Sequence, residues 1–385
     1  MRSMKKDKPF MLMESAPGLV NWHPCNKVKR PGIHKLACLQ AAACGSDTVQ
    51  YFQWRKGRGS FEQYHGAVVD HLGTDDTRIF RETAQVGELL KKIAPAAGTR
   101  VKARTALLFD WDNRWAIQDA KALSQQTKAY EETCMAIWKE FLKLGVEMDI
   151  LPSDADFTDY DLLIAPMLYL LQPQTASCLK AFVQRGGQLV ATYFTGYVDK
   201  DQLCYLGGFP GDGLSDLFGI ISEEIDTLYP SDSNKIRFTP EYASMEWQVK
   251  DYAEILRVRD AEKLAAFSPA FYQGTPAVTR KQYGKGKAYY IAARTAPVQM
   301  RPLFTQMLTD AGITLKNLPE GVEYHTRTGE EGNYSFYLNY APTPAQIEKR
   351  YGTDLLTGTP PNGSRTLHTH PAAAIPLPPQ PTKPT

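Results

Sequence analysis

Long apolar runs are missing from this 385-residue chain; no stretch approaches the ~20 residues that a membrane-spanning helix needs. The start, Met1-Arg2-Ser3-Met4-Lys5-Lys6-Asp7-Lys8, is basic. The apolar run behind it, Phe10–Met13, is shorter than the about 7–15 residues of a secretion-signal core, so a cytoplasmic location is expected. Charge of one sign is also missing. With 44 basic and 42 acidic residues the net charge is +2, which excludes nucleic acid and a membrane surface as expected partners. Cysteine is sparse: Cys25, Cys38, Cys44, Cys134, Cys178 and Cys204 are scattered, with no CxxC and no Cys/His metal spacing. Inert reduced thiols, no metal and no cofactor are expected.

What remains is ordinary globular material, 43% hydrophobic and 22% charged, long enough for two or three domains. Its organising stretch comes early: Pro9-Phe10-Met11-Leu12-Met13-Glu14-Ser15-Ala16-Pro17-Gly18, with Asn21-Trp22 behind. A four-residue apolar run ending in one carboxylate, then small and turn-forming residues, has the pattern of a buried parallel strand. Such a strand delivers a side chain to the C-terminal mouth of a barrel or sheet. On spacing alone, Glu14 fits an ordinary exposed carboxylate at a strand end equally well.

Phe10 to Trp22, together with Tyr51-Phe52-Gln53-Trp54-Arg55-Lys56-Gly57-Arg58-Gly59-Ser60-Phe61-Glu62-Gln63-Tyr64-His65, resembles the end of the catalytic barrel of glycoside hydrolase family 42, the β-galactosidases. The resemblance implies that Glu14 is the nucleophile of a retaining glycosidase. It also implies that Trp22 lines the sugar site and that Glu62 and His65 bind galactose hydroxyls, Glu62 accepting hydrogen bonds and His65 donating one. The family's acid/base, a Glu after an Asn at the end of the fourth strand, has no matching position here, so Glu62 is not promoted to that role.

Residues 1–94 read as two strand–helix units: strand Phe10–Met13, helix Pro31–Ala43, strand Thr48–Trp54, and a helix from about Asp75 to Ile93. By resemblance they are the last two units of a (β/α)8 TIM barrel, a fold of roughly 250 residues, so the barrel is expected to be incomplete. Residues 101–312 alternate strands with helices and imply a doubly wound parallel sheet. The expected elements are strands Ala106–Phe109, Glu147–Ile150, Leu162–Pro166 and Gln188–Thr192, helices Thr127–Leu144 and Thr175–Arg185, and a hairpin over Val278–Arg294. This part resembles the family's trimerisation domain, with its class I glutamine amidotransferase-like (flavodoxin-like) fold, and implies a homotrimer. Its Trp111-Asp112-Asn113-Arg114-Trp115 segment fits sugar stacking or a subunit contact; the resemblance favours the contact, beside a neighbouring active site.

An amidotransferase places a nucleophilic Cys after the strand ending near Thr192; here Tyr193-Phe194-Thr195-Gly196 follows. Residues 321–367 read as a small antiparallel β domain with strands Val322–Arg327, Tyr334–Asn339 and Asp354–Leu356. Residues 371–385 read as a Pro-rich disordered tail, and His368 and His370 form an isolated HxH. The sequence thus implies a retaining β-galactosidase acting on galactosides, with this chain inactive alone for want of the acid/base. The alternative is a non-catalytic trimerisation module, and an amidotransferase activity would have to depend on Cys204.

Overall fold

The computed structural model describes the chain apart from residues 6–7, 122, 125, 127, 243–244, 331, 349–351, 361–363, 368–371 and 378–385. The chain divides into two compact units. The first combines Met1–Lys102, Leu142–Glu147 and Lys316–Thr385; the second combines Ala103–Phe141 and Met148–Leu315. Among the described residues no helix is long and apolar enough to cross a membrane.

The first unit begins with β1 (Phe10–Leu12), α1 (Ile33–Ala43), β2 (Ser46–Val49) and α2 (Arg78–Lys92). β1 and β2 pair in parallel, Phe10 opposite Ser46 and Leu12 opposite Val49. α1 buries Leu36, Leu39 and Ala43, a helical three-and-four spacing. Its first turn is capped from a distance, because Glu82 on α2 accepts from the Gly32 N–H at 2.9 Å and the Lys35 N–H at 3.4 Å. β2 was expected to run to Trp54 but ends at Val49. Its partner is only three residues long, and beyond it the backbone turns to a later segment: Val68 N–H donates to Gln53 O and Val69 N–H to Trp54 O.

The second unit holds β3 (Thr105–Leu108), α3 (Trp111–Asp119), α4 (Tyr130–Lys143), β4 (Met148–Leu151), β5 (Leu162–Ala165), α5 (Thr175–Gln184) and β6 (Gln188–Thr192). It continues with α6 (Leu214–Phe218), β7 (Ile220–Thr227), β8 (Asn234–Phe238), β9 (Glu246–Val258), β10 (Glu262–Ser268), β11 (Pro276–Tyr283), β12 (Gly286–Ile291), β13 (Ala293–Thr295) and α7 (Pro297–Asp310). One sheet takes all eleven strands. The parallel part runs β4-β3-β5-β6-β12, which in chain rank is the doubly wound order 2-1-3-4-5. Every residue of β3, β5 and β6 is buried, as a parallel strand covered on both faces requires. An antiparallel flank, β11-β10-β8-β9-β13 with β7 on β9, extends from β12. β9 shows no clean alternation, because Asp251 sits at φ +59° in its middle and resets which face the side chains take.

The first unit resumes with β14 (Val322–Gly329), β15 (Gly332–Asn339), β16 (Ala345–Glu348), β17 (Ser364–Leu367) and β18 (Ala372–Leu377). Two expectations fail here. Asp354–Leu356 is a turn, because the Asp354 carboxylate accepts from Leu356 N–H, Ala374 N–H and the Thr357 hydroxyl and so satisfies the backbone locally. The expected disordered tail is ordered over Ala372–Leu377, which pairs antiparallel with β15, Pro376 opposite Tyr334 on the edge strand that tolerates it. Residue 371, residues 378–385, and His368 and His370 lie outside the described residues.

α1 packs on this sheet: Leu36, Leu39 and Ala43 share one core with Phe336, Leu338 and Ala374. Arg327 on β14, only 2% exposed, fastens the contact with all five guanidinium N–H groups. They reach Ala42 O, Ser46 O, the Thr99 hydroxyl and carbonyl, and Asp47 Oδ1, at 2.6–3.0 Å.

Candidate functional site

Glu14 and Trp22 lie on the loop leaving β1; Glu62 and His65 lie on the loop leaving β2. Both loops leave the same end of a parallel pair, so they are neighbours by topology, and backbone bonds fix their register. Phe52 N–H donates to Ser15 O at 3.3 Å, Gly66 N–H to Leu19 O at 2.7 Å, and the Asn21 amide to Phe61 O. Gly66 has to be glycine, since a Cβ there would come within 2.7 Å of Leu19 O and 2.9 Å of Gly18 Cα. Asn21 thereby links the residue beside Trp22 to the residue beside Glu62. Beneath the loop, the Lys29 ammonium holds Ala16 O, two residues past Glu14.

The four side chains present different faces. Glu14, Trp22 and Glu62 are exposed, with Phe61 and Tyr64 beside them. Among the described residues no hydrogen bond or ion pair engages the Glu14 side chain. His65 is buried, its ring edge-on to Phe52 with centroids 5.2 Å apart. Its Nδ1 lies 3.1 Å from Gly66 O, and a carbonyl only accepts, so Nδ1 carries the proton. With Nδ1 so engaged, Nε2 is the ring nitrogen left for a sugar hydroxyl, an acceptor in the neutral ring and a donor in the imidazolium.

The layer below is inert. Burial pushes the His34 imidazole down to about 4, with Lys29 adding to the effect, and pushes the Cys38 thiol up to about 11. His34 therefore stays neutral beside the Tyr51 hydroxyl, and Cys38 is not a nucleophile.

In the second unit, the turn after β6 carries Phe194 at φ +68°, its ring fully buried, where an amidotransferase would present its thiol. The seven histidines of the chain are 23, 34, 65, 71, 325, 368 and 370, so this unit has no imidazole to activate a nucleophile. Cys204 is exposed and the Cys134 thiol is pushed up by burial to about 12. The switch point of the parallel sheet is plugged by Asn113, which donates to Met167 O at 3.0 Å and accepts from Leu170 N–H at 2.8 Å. Trp111 and Trp115 lie outside that plug, more than half exposed, with Arg114 over the Trp111 ring. Among the described residues no group of three or more His, Cys, Asp or Glu is placed to hold a metal. What the sequence left unread was the support: Asn21, Lys29, Gly66 and Glu82 act through distant partners that no local motif marks.

Comparison with known proteins follows this division. Residues 1–93 match the β-galactosidase domain, residues 103–314 the β-galactosidase trimerisation domain, and residues 321–370 the β-galactosidase C-terminal domain. The chain is 43% identical to the β-galactosidase BglY of Alicyclobacillus acidocaldarius, covering 90% of this chain and 51% of BglY. It is 40% identical to GanA of Bacillus subtilis, covering 95% of this chain and 54% of GanA. The chain thus spans about half the length of the curated relatives it matches. Among solved structures, the β-galactosidase of Rahnella sp. R3 superposes with a TM-score of 0.92 at 40% identity, covering 98% of this chain and 56% of that one. That of Bacillus circulans sp. alkalophilus gives 0.91 at 33%, covering 97% and 56%. With mixed α/β architecture, a C-terminal β domain and matches along nearly its whole length, the chain belongs to the β-galactosidases of glycoside hydrolase family 42.

Proposed function

We propose that this chain supplies the nucleophile side of a retaining β-galactosidase. The observation that carries the reading is the pair of strand-end loops joined through Gly66 N–H to Leu19 O and Asn21 to Phe61 O, which sets an unpaired exposed carboxylate beside exposed aromatic rings and a buried imidazole. Glu14 attacks the anomeric carbon as a carboxylate, forming a glycosyl–enzyme ester that water then hydrolyses. Trp22 packs against the C–H face of the sugar. Glu62 accepts from sugar hydroxyls, and His65 meets one at Nε2 while Nδ1 stays tied to Gly66 O. Polar recognition of this kind rejects epimers, because a misplaced hydroxyl leaves buried groups unpaired. The acid/base of the retaining pair, which must stand about 5–5.5 Å from the nucleophile, comes from outside these two strand–helix units.

The second unit is a structural module with the flavodoxin-like order of class I amidotransferases, and it gathers three copies of the chain. Its chain-rank order 2-1-3-4-5 and its occupied switch point support this, as do exposed Trp111 and Trp115 as contact residues. The test is hydrolysis of an aryl β-galactoside by the 385-residue chain alone, and by the chain co-expressed with the remaining half of BglY. The chain alone should be inactive; the pair should hydrolyse the substrate and lose at least about 10³-fold with Glu14→Gln. Activity of the chain alone would place an acid within it, and activity surviving Glu14→Gln would remove Glu14 as nucleophile. A native mass of one chain would overturn the trimer.

A further inference from the structure

Glu254 lies on β9, fully buried, its backbone N–H donating to Ala292 O at 2.7 Å. Buried carboxylates normally face a cation. This one faces hydroxyls and one amide instead. Its Oε1 accepts from the Phe194 N–H at 2.7 Å and lies 2.9 Å from the Tyr197 hydroxyl, while Oε2 lies 2.7 Å from the Tyr290 hydroxyl. Ser222 Oγ stands 3.1 Å behind the Tyr197 oxygen. The partners come from the turn after β6, from β7 and from β12. Tyr169 stacks on the far side of Tyr197. Arg294, on β13, is directed to Tyr193 and Asp251. Among the described residues no Lys, Arg or His bonds to Glu254.

The cage has a complete set of bonds for either protonation state. The ionised carboxylate accepts from the Phe194 N–H and the Tyr197 and Tyr290 hydroxyls, and the Ser222 hydroxyl favours the same form. In the acid form the new O–H donates to the Tyr197 oxygen, and Tyr197 rotates its own hydrogen to Ser222 Oγ; hydroxyl rotors permit this without backbone movement. Burial holds the Tyr197 and Tyr290 hydroxyls far above their usual range, so neither ionises near neutrality. Burial also pushes the Glu254 carboxyl up, against the pull of its donors, to about 7.

We propose that Glu254 is a proton-operated latch. It takes up one proton from solution, reverses the Tyr197–Ser222 hydrogen bond, and by that reversal ties the turn after β6 more firmly to β7. The latch explains why a phenylalanine is held at φ +68° in that turn, since its N–H is one of the carboxyl's fixed donors.

Infrared difference spectra of the whole chain between pH 5.5 and 8.5 test this. The carbonyl band of a protonated carboxyl should vanish with a midpoint near neutrality and be absent in Glu254→Gln. Protection of amides in 188–197 and 220–227 from exchange, corrected for the intrinsic rate, should fall over the same range and lose that pH dependence in the variant. Tyr290→Phe keeps the acid but removes a donor to the ionised form, so it should move the midpoint to higher pH. It decides the matter even if Glu254→Gln does not fold. A band that persists in Glu254→Gln, no band in the parent, or an unmoved midpoint in Tyr290→Phe overturns the latch.

Discussion

The parallel pair β1–β2 and the parallel strands β3, β5 and β6 use the same ladder and reach opposite solutions. The four residues of β5 are all 0% exposed, whereas Met11 on β1 is 49% exposed and Met13, just past it, 62%. The larger sheet is held by burial from both faces, each fully buried Leu or Ile contributing about 1.5–3 kcal/mol. The small pair is held by side-chain hydrogen bonds: Arg327 from β14 on Ser46 O and Asp47, and Ser46 Oγ across the pair on the Leu12 N–H, while Glu82 holds the first turn of the neighbouring α1. Where strand faces stay exposed in this chain, polar fasteners hold the ladder, and these are costlier to lose singly than a methyl group.

The largest expected effect follows from that. Arg327→Met leaves five acceptors without their donor and should destabilise the first unit by about 3–5 kcal/mol, read by urea denaturation; a loss below 1 kcal/mol would mean that burial, not the fastener, holds the pair. Next, the same kind of truncation should part the two sheets. Leu163→Ala in β5 should lose about 2–5 kcal/mol and Met11→Ala in β1 no more than about 0.5 kcal/mol. Equal losses would mean that β1 is covered in solution.

The smallest effect sharpens the contrast through pH. In the second unit the folded Glu254 carboxyl is raised to about 7, so its contribution is complete below the unfolded value of about 4.5 and is lost as pH rises to 7, at most about 3 kcal/mol. In the first unit the folded His34 is lowered to about 4, so stability is instead lost as pH falls from about 6.5 to 4, by at most a similar amount. His325 adds an alkaline limit there: burial works to lower it, but the Glu147 carboxylate and Cys44 hold it well above its usual value, and that contribution fades as pH rises through it. Exchange protection of each unit against pH, with Glu254→Gln and His34→Gln as references, should show opposite slopes between pH 4.5 and 6.5. Parallel slopes would discard this assignment.

Local pattern made part of this fold legible. The apolar run before Glu14, the buried runs of β3, β5 and β6 and the Gly-bounded helices were readable because each is complete within a few residues. Residues 213–278 offered no readable elements yet hold β7 to β10; in β9 the cause is Asp251, which at φ +59° breaks the alternation. β18 was hidden among prolines, although its alanines and Ile375 find a place opposite β15. The site residues were visible through family spacing. Their supports were not, since Glu254 meets residues 194, 197 and 290 and Glu82 meets residue 32, and neither separation leaves a periodic trace.

α1 owes its start to residue 82 and its last turn, through Ala42 O, to residue 327. On a ribosome adding about 5–20 residues per second, the helix waits some tens of seconds between being made and having both ends satisfied. Through that interval its apolar face has Leu89, Leu90 and Ile93 to pack on but no sheet to cover it. A truncation ahead of Arg327 would turn that passing exposure into a permanent one.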